Sequence, residues 1–268
     1  MTTPIIEETT MSRIELDRAA HRRGVAAVGR KLSRTGAVVG IWFWAVYALY
    51  AVGISVGHAV TGGDLAISAL DATLGAARWT AIWLGTVAPI ALLTLHLAAG
   101  GSRRSLFEGV VRGALVVGAG FGVVTTLVLL GERLLSESLG MTWNRLGGLP
   151  FDSPAEVLGT AVAEAFVITT YILYGACIGA GFLRARAWGT LLIVPLGIPA
   201  VLVDLATRTG VVGALANIEF TPDIEHAEVP MSEGLMTTLL GVGGGALAVA
   251  LAAVALYALL RTVPVRPS

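Results

Sequence analysis

Long apolar segments separated by short polar connections dominate the pattern along the chain. Crossing a hydrocarbon core of roughly 30 Å takes about 20 apolar residues in a helix, and six segments meet that length with few or no charges. They run approximately over Ala37–His58, Thr80–Ala99, Gly113–Leu130, Leu158–Phe182, Trp188–Thr207 and Leu235–Leu260. An unpaired backbone group in lipid costs several kcal/mol, and the segments do not alternate as barrel strands do. The pattern therefore predicts an all-α integral membrane protein with six transmembrane helices.

Composition agrees with this prediction, because 55% of the 268 residues are hydrophobic and 13% are charged. A soluble domain carries about 25% charged residues. The net charge is zero, so nothing points to nucleic acid as a partner. The single cysteine, Cys177, excludes an internal disulfide and a cysteine-cluster metal site. His21, His58, His96 and His226 are scattered and form no H-E-x-x-H pattern, so we expect neither a metal nor a cofactor.

Basic residues in the connections predict the orientation. Fourteen of the 18 Lys and Arg residues lie in the N-terminal arm, between spans two and three, between spans four and five, or in the C-terminal tail. The other four are Arg78, Arg133, Arg145 and Arg208. This bias places both termini in the cytoplasm. The predominance of Arg over Lys, with many Ala, Gly and Val residues, is typical of GC-rich bacterial genomes, so we expect a multi-pass protein of the bacterial plasma membrane.

Residues 1–36 are predicted to form a cytoplasmic arm ahead of one membrane domain, residues 37–268. In the arm, Val25, Val28 and Leu32 are interleaved with basic residues. This pattern favours a basic amphipathic helix that lies on the inner leaflet. A disordered polybasic arm that only sets the topology is the alternative. The arm has no continuous apolar core, so we do not expect a cleavable secretory signal.

The start of the fourth span carries a complete set of helix signals. Ser153 is an N-cap residue, Pro154 occupies the first helical position, and Glu156 completes a capping box. We therefore expect α-helix from this point.

Two acids, Glu164 and Asp204, are embedded in apolar segments. An intramembrane charge is costly, so each is a candidate functional residue. Asp204 has Arg208 one turn further on, which favours an ion pair at a helix end. Glu164 has no partner nearby in the sequence and is the candidate polar residue of a translocation path.

Two catalytic motifs are only approximated. A phosphate-binding loop requires Lys directly after its second Gly, but Arg30 follows Gly29, so this chain is not expected to hydrolyse ATP by itself. Ser55 and His96 invite comparison with a serine–histidine dyad. They are predicted near opposite ends of spans one and two, about 25 Å apart by helical rise, whereas a dyad needs direct contact.

Four pairs of glycines at i, i+4 spacing can let helices approach closely. We interpret them as packing within the chain, with a dimer or gate surface as the alternative. The pairs are Gly53 and Gly57, Gly118 and Gly122, Gly175 and Gly179, and Gly241 and Gly245.

The connection between spans two and three reads Ala-Gly-Gly-Ser-Arg-Arg-Ser-Leu-Phe-Glu-Gly over residues 99–109. It resembles the small-Gly-x-Ser/Thr-Arg-Arg-x-Phe-x-Gly pattern of permease subunits of bacterial ATP-binding-cassette exporters of the second export type. The layout is also similar, with six spans, an N-terminal interfacial helix and a longer outer connection between spans five and six. In this chain that connection is acidic, with Glu219, Asp223, Glu225, Glu228 and Glu233.

The resemblance implies a permease that forms a homodimer or heterodimer and binds two copies of a separate ATPase subunit. By that similarity the coupling helix, which docks on the ATPase, consists of Arg103, Arg104, Ser105, Leu106, Phe107 and Glu108. A connection that only sets the topology is the alternative. The implied activity is export of a hydrophobic drug, peptide or lipid, and no residue pattern identifies the substrate. A membrane-embedded enzyme and a nonenzymatic scaffold or sensor stay open as other functions.

Overall fold

The computed structural model describes residues 4–61, 68–141, 143, 153–216 and 235–264. Within those ranges every regular element is an α-helix and no strand occurs. The helices are α1 (Pro4–Thr61), α2 (Ala69–Ala98), α3 (Arg103–Ser138), α4 (Pro154–Arg184), α5 (Arg186–Ala216) and α6 (Leu235–Thr262). The predicted acidic connection between spans five and six lies outside the described residues.

Each predicted span falls in a separate helix, which confirms the all-helical prediction. Among the described residues, five helices are long and apolar enough to cross a membrane. The described apolar part of α5, Arg186–Ile198, is shorter, although the helix itself has 31 residues. The helices extend past the predicted spans because hydropathy marks the length that suits lipid, whereas helical hydrogen bonding continues through polar residues.

The predicted arm and the first span form one continuous helix, α1, which has 58 residues. At 1.5 Å per residue it is about 87 Å long, far more than a hydrocarbon core needs. The arm is thus helical from Pro4 onward, and its Val25, Val28 and Leu32 are at most 3% exposed because they pack against other parts of the chain. Its position on a lipid surface stays a prediction.

α1 and α3 run parallel and pack in a single register. In each contact a glycine on one helix faces a large side chain on the other, and the glycines change helix halfway along. The facing pairs, with the α1 residue first, are Val28 and Gly109, Leu32 and Gly113, Gly36 and Val117, and Gly40 and Phe121. The paired residues advance by four on both helices, so the contact follows the i±4 rows of ridges-into-grooves packing.

α4 is the central helix of the fold and contacts α2, α3, α5 and α6. All its side chains from residue 167 to residue 181 are buried. It begins as predicted: Ser153 is the N-cap, Pro154 follows, the Glu156 N–H donates to Ser153 Oγ at 3.3 Å, and the Ser153 N–H donates to Glu156 Oε2 at 3.2 Å.

Two of the four glycine pairs pack within the chain, as predicted. A Cβ on Gly175 or Gly179 would collide with backbone carbonyl oxygens of α2, and a Cβ on Gly118 or Gly122 would collide with α4. At these positions two backbones touch directly. The other pairs differ: Gly53, Gly57 and Gly241 have nothing within 4 Å of an added Cβ, and Gly245 packs on Phe166.

Three of the basic segments lie together at one end of the bundle. Arg103 Nη1 donates to the carbonyl oxygen of Arg261 at 2.8 Å, and Arg184 Nη1 donates to Thr262 Oγ1 at 3.1 Å. The start of α3, the end of α4 and the end of α6 therefore meet, in agreement with the grouping by charge. Which side of a membrane this end faces stays a prediction, and we refer to it as the predicted inner end.

Candidate functional site

The residues that connect α2 to α3 form a tight, fully hydrogen-bonded turn. α2 ends at Ala98, and Gly100 adopts φ = 79°, a left-handed conformation that glycine adopts without steric cost. The Gly101 N–H donates to the carbonyl oxygen of His96 at 2.8 Å. Ser102 then caps α3, because its Oγ accepts from the Ser105 N–H at 3.0 Å. We call Ala99–Glu108 the α2–α3 turn.

Loss of this cap gives a first testable prediction. Ser102→Ala removes the acceptor for the Ser105 N–H, and we expect the free energy of unfolding to fall by about 1 kcal/mol. Unfolding in mixed micelles with a rising SDS fraction, followed by circular dichroism, measures the change. Ser138→Ala, at the exposed end of the same helix, is the control and should have little effect. Equal losses in the two variants would contradict the capping role.

His96, near the end of α2, contacts Ser105 of the turn. His96 Nε2 lies 2.8 Å from Ser105 Oγ, and the Ser105 hydroxyl donates to the carbonyl oxygen of Ser102 at 2.8 Å. At 1% exposure, Ser105 is closed to a substrate. Ser55, the serine considered as a partner for His96, is buried in α1 and is not bonded to this histidine: among the described residues its hydroxyl has no hydrogen-bond partner.

Contacts at the turn reach two further helices. His21 Nε2 of α1 lies 3.0 Å from Glu108 Oε2. Phe107 packs edge-on against Tyr257 of α6, with ring centroids 5.2 Å apart. With the bond from Arg103 to the end of α6, these contacts join the turn to α1, α2 and α6.

The six residues assigned to the coupling helix form the first two turns of α3. Leu106 and Ser105 are buried, Phe107 is half-buried on Tyr257, and Arg104 keeps 74% of its side chain exposed. Arg104 Nε donates to Glu108 Oε1 at 3.0 Å, which forms an ion pair at the surface. Docking of this segment on an ATPase stays a prediction.

A second group of polar residues, the charged cluster, consists of Arg78, Glu164 and Asp204 on α2, α4 and α5. Arg78 Nη2 lies 3.1 Å and 3.3 Å from the two oxygens of Glu164 and 2.6 Å from Asp204 Oδ1. Arg78 Nη1 donates to the carbonyl oxygen of Leu74 at 2.7 Å. The side chains of Arg78 and Glu164 are 4% exposed and that of Asp204 is 20% exposed.

The charged cluster corrects one sequence assignment and completes another. The hydropathy pattern predicts that Arg78 lies in a connection, but this residue lies inside α2 and is buried, so that prediction is wrong. Glu164 lacked a partner in the sequence because its partner comes from another helix. The side chain of Arg208, the expected partner of Asp204, lies outside the described residues. Arg78 could have been noticed as an isolated cation in a long apolar stretch.

Sequence reasoning also missed Glu132, which is buried near the end of α3. Its carboxylate accepts from Ser68 Oγ, from the Leu70 N–H at 3.3 Å and from Trp143 Nε1 at 3.2 Å. The acid thus bonds to the first turn of α2, where helix N–H groups lack intrahelical partners. Glu132 follows directly after an apolar span in the sequence, and this position is typical of an exposed charge at a membrane surface.

Comparisons of this chain with protein-family models, with curated proteins and with solved structures found no match. The α2–α3 turn, the charged cluster and the resemblance in residues 99–109 are therefore the features of the chain that bear on transport.

Proposed function

We propose that the chain is the permease subunit of a bacterial ATP-binding-cassette exporter of the second export type. It would pair with a second permease, like or unlike itself, to enclose a path for a hydrophobic drug, peptide or lipid. A separate ATPase subunit would supply the energy. The α2–α3 turn carries the proposal, because it combines the residue pattern of that family with a surface suited to transmit force.

A coupling element must be stiff and must be attached to the parts that move. The turn is held by a capping box and by the bond between His96 and Ser105. It is attached to α1 through His21 and to α6 through Phe107 and Arg103. A push on the turn would therefore move several helices together as a rigid body, the kind of motion that transporters use.

Arg104 is the residue best placed to contact the ATPase. Its guanidinium is exposed, while the neighbouring Phe107 is already packed on α6. A substitution at Phe107 would disturb the fold as well as any docking surface. A substitution at Arg104 therefore tests docking without disturbing the fold. The complementary surface on the ATPase would be an acidic edge of its docking groove.

The charged cluster is the proposed polar part of the path. Glu164 and Arg78 are almost fully buried, whereas Asp204 is the more exposed member. Glu164 would thus position Arg78, which lies between the two carboxylates, and Asp204 would be the member of the cluster that contacts the substrate. Intramembrane charges of this kind commonly mark substrate pathways.

Copurification tests the proposal. The tagged chain is purified from its native membranes in mild detergent, and bound proteins are identified by mass spectrometry and assayed for ATP hydrolysis. We expect a phosphate-binding-loop ATPase in stoichiometric amount. Arg104→Glu should lower the amount of copurified ATPase by at least about tenfold, since reversing a charge at a docking surface costs several kcal/mol.

Arg186→Glu is the matched control, because Arg186 is also exposed and lies next to Arg184 at the same end of the bundle. The ATPase should stay bound to this variant. If both variants retain the ATPase, the docking assignment is wrong. If no ATPase copurifies with the unaltered chain, the permease proposal fails in favour of a membrane enzyme, scaffold or sensor.

A further inference from the structure

An apolar groove lies between α1 and α3 on the surface of the bundle. Its cavity volume is about 320 Å³, within the range of small-molecule sites. Ile41 and Val116 on its rims are 69% and 60% exposed, so the groove opens outward. Its lining includes Ser33, Gly36, Gly40 and Trp44 of α1 and Val116 and Gly120 of α3.

Gly120 of α3 leaves open space in this groove. Gly120 has no heavy atom within 4 Å of an added Cβ, so the surface beside it is open. Trp44, which is 7% exposed, closes the far end. Ser33 and Trp44 are eleven residues apart on α1, so the groove is about 16 Å long. That length suits most of one extended acyl chain.

One end of the groove is strongly basic. On α1, Arg30 and Arg34 precede Ser33 and Ala37 by three residues, and on α3 Arg112 precedes Val116 by four. Residues three or four apart share a helix face, so the three arginines continue the walls of the groove toward the predicted inner end. All three are exposed, and no hydrogen bond or ion pair of theirs is seen among the described residues.

We propose that this groove is a binding site for one anionic phospholipid. The phosphate is held by Arg30, Arg34 and Arg112, and one acyl chain lies along the groove past Gly120 to Trp44. Guanidinium groups bind phosphate through paired, charge-assisted hydrogen bonds, while the lining of the groove is mostly apolar and suits an acyl chain. The inference is independent of the proposed transport function.

Native mass spectrometry of the delipidated chain tests this site. The chain is titrated with dioleoylphosphatidylglycerol and, separately, with dioleoylphosphatidylcholine. We expect one tight site that prefers the anionic lipid. Arg112→Gln should weaken the first binding step of the anionic lipid by about fivefold, the effect of one basic residue near an anionic lipid. Arg18→Gln, at an exposed arginine of α1 distant from the groove, should leave it unchanged.

Filling the groove supplies an independent test. Gly120→Leu places a side chain in the open space, since nothing lies within 4 Å of a Cβ added there, and should abolish the tight site for both lipids. Gly131→Leu is the matched control, because Gly131 is also an open, exposed glycine of α3, and it should bind normally. Equal binding of the two lipids to the unaltered chain, or unchanged binding by Gly120→Leu, overturns the proposal. So does a dimer of the chain that is lost in Gly120→Leu while lipid binding persists.

Discussion

Replacing Arg78 by methionine is expected to lower the free energy of unfolding by about 3–5 kcal/mol. The substitution leaves Glu164 and Asp204 without the guanidinium that both carboxylates share. A buried charge deprived of its partner is far more costly than the pair is favourable. Unfolding in mixed micelles of rising SDS fraction, followed by tryptophan fluorescence, measures the change.

Two further variants isolate the cause of that loss. Arg22→Met removes an exposed arginine of α1 and should leave unfolding unchanged. Arg78→Met combined with Glu164→Gln and Asp204→Asn removes all three charges, so it should recover part of the lost stability. If the triple variant is no more stable than Arg78→Met alone, the loss comes from packing of the arginine side chain and not from charge.

The second large effect is expected at the contact between α2 and α4. Gly175→Val should lower the free energy of unfolding by about 3 kcal/mol, the upper part of the usual range for overpacking. The new Cβ would collide with the carbonyl oxygen of Ile82. Backbone cannot rotate aside as a side chain can, so the two helices must separate along their whole contact.

Gly53→Val is the control for this substitution. Gly53 belongs to a glycine pair of the same spacing, but nothing lies within 4 Å of an added Cβ there. The intrinsic helix propensity changes equally in both variants, so the difference between them reports the contact alone. Equal losses would mean that α2 and α4 do not pack as closely as the structure describes. Loss in Gly53→Val alone would locate a partner surface on α1.

The positions of the helices could be predicted because apolar length is a local property of the sequence. Each predicted span falls in its own helix, and the cap at Ser153 was readable because its signals lie within four residues. The charged cluster could not be predicted from the sequence in this way. Its members are 86 and 126 residues apart in sequence, and only the arrangement of α2, α4 and α5 brings them together.

Glycine spacing shows the same limit. All four pairs look alike in the sequence, yet two bring backbones into contact while Gly53 and Gly57 face open space. The spacing specifies a smooth face on a helix, and the neighbouring helix decides whether that face is used. The resemblance in the α2–α3 turn likewise identified a segment, but it did not reveal that Phe107 packs on Tyr257 and leaves Arg104 as the exposed residue.

Along the contact between α1 and α3 the glycines lie first on α3 and then on α1, and this arrangement makes sliding of the two helices unfavourable in both directions. A shift of one turn one way would bring Leu32 against Val117, where there is no room for both. A shift the other way would set Gly36 opposite Gly113 and leave a void. One turn is about 5.4 Å, so the next register is both distant and poorly packed. α1 and α3 are therefore expected to move together as one rigid unit, which can tilt or shift as a whole but in which neither helix slides along the other.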